Sequence, residues 1–368
     1  MSLETRILKK VMTNYIPGVV ERSLRRQSRT IAFAAGGIGI LLAGRSLLRR
    51  LREYDLQGKT VLVTGGSRGL GLVIARECVN QGARVAICAR NEQELEQARQ
   101  DLLQRGGDVI AIACDLTDQE GVNRMVRTVQ NQFGAVDVLI NNAGIITAGP
   151  AEEMTLADYE AAMKTNYWAA LYTTFAVLPE MRSRREGRIV NIASIGAKVS
   201  VPHLLPYSAS KFALYGWSSG LRAELAKDGI IVTTICPGLM RTGSPRNATF
   251  KGQHRAEYAW FSISDSVPLM TISAESAARQ ILTACKRGEA EVVLSLPAKI
   301  AATTYSLFPN LTTDFLGLVT RLLPAPGGIG TRSAQGFESE SSISPSVLTT
   351  MGDNAAQRNN EFAARPGS

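Results

Sequence analysis

Between residues 58 and 296, short apolar runs alternate with longer stretches of helical period. The runs are 60–64 (TVLVT), 84–89 (RVAICA), 108–113 (DVIAIA), 136–141 (VDVLIN), 188–193 (RIVNIA), 230–236 (IIVTTIC) and 291–296 (EVVLSL). Each is brief, continuous and rich in β-branched residues, as expected of strands buried on both faces. Between them, apolar positions recur at helical spacing over about 69–81, 92–105, 118–133, 155–181, 207–227 and 274–287. Alternation of this kind predicts an α/β fold: a doubly wound parallel sheet of about seven strands, with right-handed crossovers and helices on both faces. The domain so defined covers 53–296.

The flanks follow other patterns. Residues 31–44 (IAFAAGGIGILLAG) form an uncharged run of fourteen, and arginines crowd both sides of it. As a helix it would reach about 21 Å, against a bilayer core of about 30 Å. The upstream arm carries its own helical apolar face, from Leu3 through Ile7, Leu8, Val11 and Met12 to Tyr15. Residues 1–52 are therefore expected to be a membrane anchor that lies on the bilayer or crosses it as a short span. A packing helix and a mitochondrial transit peptide are the alternatives. The long connection 238–272 carries aromatics (Phe250, Tyr258, Trp260, Phe261) and reads as a lid. Residues 297–323 return to apolar, part-helical character, and 324–368, rich in Gly, Ser, Pro and Asn, read as a disordered tail.

Charge sharpens this division. Of 41 Lys and Arg against 32 Asp and Glu, residues 1–52 hold eleven basic and two acidic side chains. That arm is 11 − 2 = +9, and the rest of the chain is 30 − 30 = 0. A neutral body argues against a nucleic-acid groove, and the arm is suited to an anionic membrane surface. Five scattered cysteines without a C-x-x-C point to reduced, mostly buried thiols and a reducing compartment. Only His203 and His254 are present, far apart, so neither a metal site nor a Ser-His-Asp triad is expected.

The chemistry starts at Thr64-Gly65-Gly66-Ser67-Arg68-Gly69-Leu70-Gly71, between the first strand and the first helix. Glycines allow a sharp turn and close approach to a pyrophosphate, and a helix N-terminus offers free N–H groups. The second strand ends Ala89-Arg90-Asn91, with no acidic residue to hold a ribose 2′-hydroxyl. Arg90, with Arg68 from the glycine turn, suits a 2′-phosphate, so NADP(H) is the expected cofactor. Tyr207 and Lys211 lie four apart, on one face of a predicted helix.

Taken in order, Thr64–Gly71, Asn141-Asn142-Ala143-Gly144, Ser194, Tyr207/Lys211 and Pro237-Gly238 resemble the short-chain dehydrogenase/reductase family over about residues 57–296. The resemblance implies a Rossmann-type fold and a catalytic set of Ser194, Tyr207, Lys211 and Asn166. Tyr207 would be the general acid/base, with its pKa lowered by Lys211, and Ser194 would donate to the substrate oxygen. Asn166 would kink its helix and hold a proton-relaying water. Cofactor contacts would come from Gly65, Ser67, Arg68, Gly69, Leu70, Gly71, Arg90, Asp115, Leu116, Asn142, Ala143, Gly144, Tyr207, Lys211, Pro237, Gly238 and Thr242. The terminal segments resemble those of a membrane-associated branch, similar to hydroxysteroid dehydrogenases.

The expected function is interconversion of a carbonyl and a secondary alcohol on a lipophilic small molecule by hydride transfer. A 3-oxoacyl reductase and an NADP(H)-binding membrane scaffold without turnover are the alternatives. The expected assembly is a dimer or tetramer through the helices near 155–181 and 207–227. The expected placement is membrane-associated, with the catalytic domain on the cytoplasmic face.

Overall fold

The computed structural model describes residues 44, 53–267, 270–341, 344, 346 and 349–362. Seven parallel strands form the main sheet: β1 (Thr60–Thr64), β2 (Arg84–Ala89), β3 (Asp108–Ala113), β4 (Val138–Asn141), β6 (Gly187–Ile192), β7 (Ile230–Pro237) and β11 (Glu291–Leu294). Their order is β11-β7-β6-β4-β1-β2-β3. The chain therefore winds outward from β1 in one direction and then, from β4, in the other. Loops after β1 and β4 diverge at that switch, which opens a crevice at the carboxyl ends of the strands. The expected doubly wound sheet is present, with strand boundaries displaced by at most two residues.

Strand side chains alternate between two cores. In β1, Val61 and Val63 face helices α1 (Gly69–Asn80), α2 (Glu92–Gln104) and α8 (Ala274–Arg287) through Val73, Ile74, Leu95, Leu102 and Ile281. Leu62 faces the opposite layer, meeting α3 (Gln119–Phe133), α5 (Ala169–Arg184) and the C-terminal end of α6 (Leu205–Leu225) through Val126, Val177, Met181 and Leu225. Burial on both sides explains the uninterrupted apolar strands. Between α4 (Leu156–Met163) and α5, residues Lys164–Trp168 form a π turn that contains Asn166.

The connection after β7 is not structureless. It holds β8 (Leu239–Arg241), β9 (Thr249–Phe250), α7 (His254–Ser264) and β10 (Thr271–Ser273). Phe250 is fully buried and meets Tyr258 and Phe261 edge-on, at 5.5 and 6.0 Å between ring centres. β9 lies between β5 (Thr147–Ala148) and β12 (Ala334–Gln335) in a small second sheet.

Segment 297–323 forms α9 (Leu296–Leu307) and α10 (Pro309–Thr320), on which Leu307, Leu311, Phe315 and Leu318 stay exposed. The expectation of disorder over 324–368 departs from the described residues. β12 pairs antiparallel with β9, and α11 (Thr350–Arg358) packs so closely on Gly243 that a side chain there would strike Ala356. The segment looked unfoldable because it buries small and polar groups (Ala355, Ala356, Asn359, Glu361) rather than large apolar ones.

The expected anchor, 1–52, lies outside the described residues except for Gly44. Among the described residues no helix is long and apolar enough to cross a membrane. The expected membrane association, the membrane surface as a partner and the placement derived from them are corrected accordingly. All five cysteines are free and buried.

Phe250 is the keystone of the connection that roofs the crevice. Phe250→Ala should cost about 3–5 kcal/mol. Urea unfolding checks this, and a loss below about 1 kcal/mol would mean that the cluster is not a packed core.

Candidate active site

The loops at the switch point enclose a cleft of about 940 Å3. Its floor is the turn after β1. Gly65 adopts φ +64°, and a Cβ there would lie 2.9 Å from the Ala143 Cα. A side chain on Gly71 would collide with the Gly65 carbonyl. Two glycines thus let the turn and the first helical residues close on each other. Asn142 clamps the turn: its Nδ2 donates to the carbonyls of Thr64 (3.0 Å) and Gly65 (3.2 Å), and its own N–H donates to Thr64 Oγ1 (2.9 Å). Helix α1 starts at Gly69 with no acidic residue in its first turn. This shape and polarity fit a dinucleotide pyrophosphate.

The expected site residues largely converge. Gly65, Ser67, Arg68, Gly69, Leu70, Arg90, Asp115, Leu116, Asn142, Ala143, Gly144, Ser194, Tyr207, Lys211, Pro237, Gly238 and Thr242 all line the cleft. Gly71 and Asn166 do not; they support it from behind. Arg90 is exposed at the rim. Asp115 accepts from the N–H and Oγ1 of Thr117 (2.9 and 2.8 Å), which holds its carboxyl below the ordinary range. Arg68 is already engaged, by Glu94 at 3.1 Å and by Glu361 at 3.5 Å.

At the other end of the cleft, Ser194 follows β6 and is buried, its Oγ accepting from the Gly196 N–H at 3.0 Å. Tyr207 and Lys211 occupy one face of α6, one turn apart. Burial raises the Tyr207 phenol above its ordinary value, against a lowering contribution from Ser194. The expected depression by Lys211 is not found. Lys211 Nζ lies 5.8 Å from the Tyr207 ring centre and donates to the Ile192 carbonyl at 2.9 Å. Its own pKa is lowered by burial from 10.5 to about 8.

Asn166 is 1% exposed. Its Oδ1 accepts from the Ile145 N–H (2.7 Å), and its Nδ2 donates to the Ile145 carbonyl (3.1 Å) and to Ser210 Oγ (2.9 Å). A Cβ on Gly144 would lie 2.9 Å from Asn166 Oδ1 and 3.4 Å from Lys211 Nζ, so the two polar groups flank that glycine.

The sequence reading missed Glu94, Asn247, Phe337, Glu361 and Phe362, which also line the cleft. Glu94 could have been suspected as an acid in the first turn of α2. The others belong to segments whose contacts are non-local.

The family profile described as short chain dehydrogenase matches residues 59–251. The chain belongs to the short-chain dehydrogenase family. It is an oxidoreductase that works by hydride transfer. It is 37% identical over 271 residues to a dehydrogenase/reductase SDR family protein 7-like of Anopheles gambiae, covering 72% of this chain and 84% of that one. Identity to a fatty acyl-CoA reductase of Acinetobacter baylyi is 32%, over 76% of this chain and 90% of the other.

Among solved structures, a short-chain dehydrogenase of Streptomyces avermitilis superposes with a TM-score of 0.61 at 30% identity, over 72% of this chain and 97% of that one. An actinorhodin polyketide ketoreductase solved with NADPH gives 0.57 at 31%, over 64% and 95%. The expected membrane-associated, hydroxysteroid-dehydrogenase-like branch is corrected: these comparisons support the family and not that branch.

The Lys211 shift has a measurable consequence. The unfolded chain keeps this proton up to about pH 10.5, whereas the folded chain releases it near pH 8. Folding therefore expels a proton within that window, and stability should rise with pH across it. Lys211→Met should abolish that rise in cofactor-free protein. Equal pH slopes for the two proteins in denaturant titrations would show that Lys211 titrates normally.

Proposed function

We propose that this protein reduces the carbonyl of a lipophilic small molecule to a secondary alcohol, with Ser194, Tyr207, Lys211 and Asn166 as its catalytic machinery. The observation that carries this reading is the convergence of Ser194, Tyr207 and Lys211 on one end of the cleft, with the glycine turn on its floor. The cofactor is NADP(H), and when bound it supplies the hydride. The glycine turn and the start of α1 receive its pyrophosphate, Asn142 and Asp115 hold the adenosine side, and Thr242 supports the nicotinamide side.

Tyr207 gives its proton to the substrate oxygen, and Ser194 donates a second hydrogen bond to the same oxygen as charge develops there. Burial raises the phenol's pKa, so Tyr207 enters the reaction protonated, and Ser194 works against that rise. Lys211, with a pKa near 8, can exchange protons at neutral pH and returns one towards Tyr207. Asn166 fixes the Ile145 backbone and Ser210 behind Lys211, which keeps that amine in place. Arg90 selects the 2′-phosphate by charge.

Apolar lining by Ile146, Met240 and Phe337 supports a lipophilic substrate. A second reading, reduction of a 3-oxoacyl group, is favoured by 41% identity over 183 residues to a ketoacyl reductase of Nostoc, which covers 50% of this chain and 64% of that one. A panel of lipophilic ketones and 3-oxoacyl thioesters, followed by NADPH absorbance, separates the two. Turnover of neither would sink both.

Tyr207→Phe should keep NADPH binding and lower kcat by about 100-fold or more, since the ring stays and only the proton donor is lost. Retained turnover would exclude Tyr207 as the acid. Arg90→Asp should shift the NADP/NAD ratio of kcat/KM by at least about 3 kcal/mol, on the order of a hundredfold, towards NAD. An unmoved ratio would remove Arg90 from the phosphate site.

A further inference from the structure

The last described residues of the chain reach into the cleft at the place assigned above to the pyrophosphate. The Asn359 carbonyl accepts from the Gly69 N–H at 2.8 Å, so the first amide of α1 is taken by the tail. Asn360 Nδ2 donates to the carbonyls of Ser67 (2.9 Å) and Glu94 (3.1 Å). The Glu361 carboxylate lies against Gly69, where any side chain would strike its Oε1. It pairs with Arg68 at 3.5 Å and accepts from Asn247 Nδ2 at 2.6 Å. Phe362 closes the mouth of the cleft, with the Arg246 guanidinium 4.2 Å from its ring centre.

An anionic oxygen pair held by a helix N-terminus, a glycine turn and an arginine is the arrangement that a pyrophosphate would make there. We propose that residues 359–362 are an internal occupant of the dinucleotide site, and that NADP(H) binds only by expelling them. The proposal rests on the assignment of the glycine turn as the cofactor site. Tail and pyrophosphate cannot coexist, because both require the Gly69 amide and the space in front of it.

The contact is built to be reversible. Glu361 is 3% exposed, and burial raises its pKa to about 7, against the lowering influence of Arg68 and Asn247 and with Glu94 adding to the rise. A buried carboxylate beside a second one is costly to hold. A dinucleotide phosphate that takes Arg68 relieves that cost. The hold on α11 comes from outside the cleft, where Arg76 Nη2 donates to the Arg358 carbonyl (2.9 Å); the neighbouring bond from Arg76 Nη1 to Asn359 Oδ1 (3.3 Å) breaks when the tail leaves. α11 can thus remain docked while the four residues beyond it swing out.

The test compares the full chain, a chain ending at Arg358 and the Glu361→Gln variant by NADPH fluorescence titration, with melting curves as a check on folding. If the tail fills the site about nine-tenths of the time, truncation should tighten the NADPH Kd about tenfold, and Glu361→Gln should tighten it by a smaller factor. An unchanged Kd would overturn the proposal. A weaker one would also do so, since it would make the tail a clasp on bound cofactor.

Hydrogen exchange on the full chain, with and without NADPH, decides the matter should the shortened chain not fold. Protection gained at residues 65–71 together with protection lost at 359–362 is expected. Protection at the turn without loss at the tail overturns the tail proposal alone. No protection at the turn overturns the site assignment, and the tail proposal with it.

Discussion

The Gly65 carbonyl fills the space that a side chain on Gly71 would need, and Asn142 ties that carbonyl and its neighbour to the end of β4. This close closure of a strand-to-helix turn is the constraint on which the site depends. It leaves the turn with backbone and no side chains at its centre, and it aims the amides of α1 into the crevice where the strand order reverses. The same lock joins β1 to β4, so the two halves of the sheet and the floor of the cleft are fixed by one set of contacts. The catalytic end is positioned separately, by β6 and α6, and meets the turn only across the cleft.

The polar interior is arranged in the same spirit. Asn141 bridges Asn191 (2.8 Å) and Thr174 (3.1 Å), and Asn191 donates to Ser218 (2.8 Å), beneath the catalytic strands. Buried amides satisfied in this way hold strands and helices in register with little freedom to slide. Lys211 is held above that network by the Ile192 carbonyl. Its amine is buried and, among the described residues, meets no carboxylate, so burial lowers its pKa to about 8.

Much of this was legible in the sequence because its causes are local. Strands buried on both faces appear as unbroken β-branched runs, and β1, β2 and β3 begin and end where those runs do. The turn, Asn142, Ser194, Tyr207 and Lys211 could be named because each sits at a fixed position relative to a strand end. What escaped depends on distant pairing. The sequence pattern suits Arg68 to a 2′-phosphate, but the fold pairs it with Glu94 and Glu361, 26 and 293 residues further along the chain. The tail has few large apolar residues, and hydropathy does not register burial by Ala355, Ala356 and Asn359. The pKa of Tyr207 departs from expectation for a related reason: spacing on a helix puts Lys211 near the ring, but its amine donates to the Ile192 carbonyl.

The central claim is that the glycine turn and the start of α1 are the dinucleotide site, built by the closure of Gly65 on Gly71. A crystal structure of the full chain grown with NADPH tests it most directly. The account predicts pyrophosphate density against the amides of Gly69 and Leu70, with the Glu361 side chain displaced from Gly69. A dinucleotide bound elsewhere, with Glu361 still seated on the turn, would contradict it.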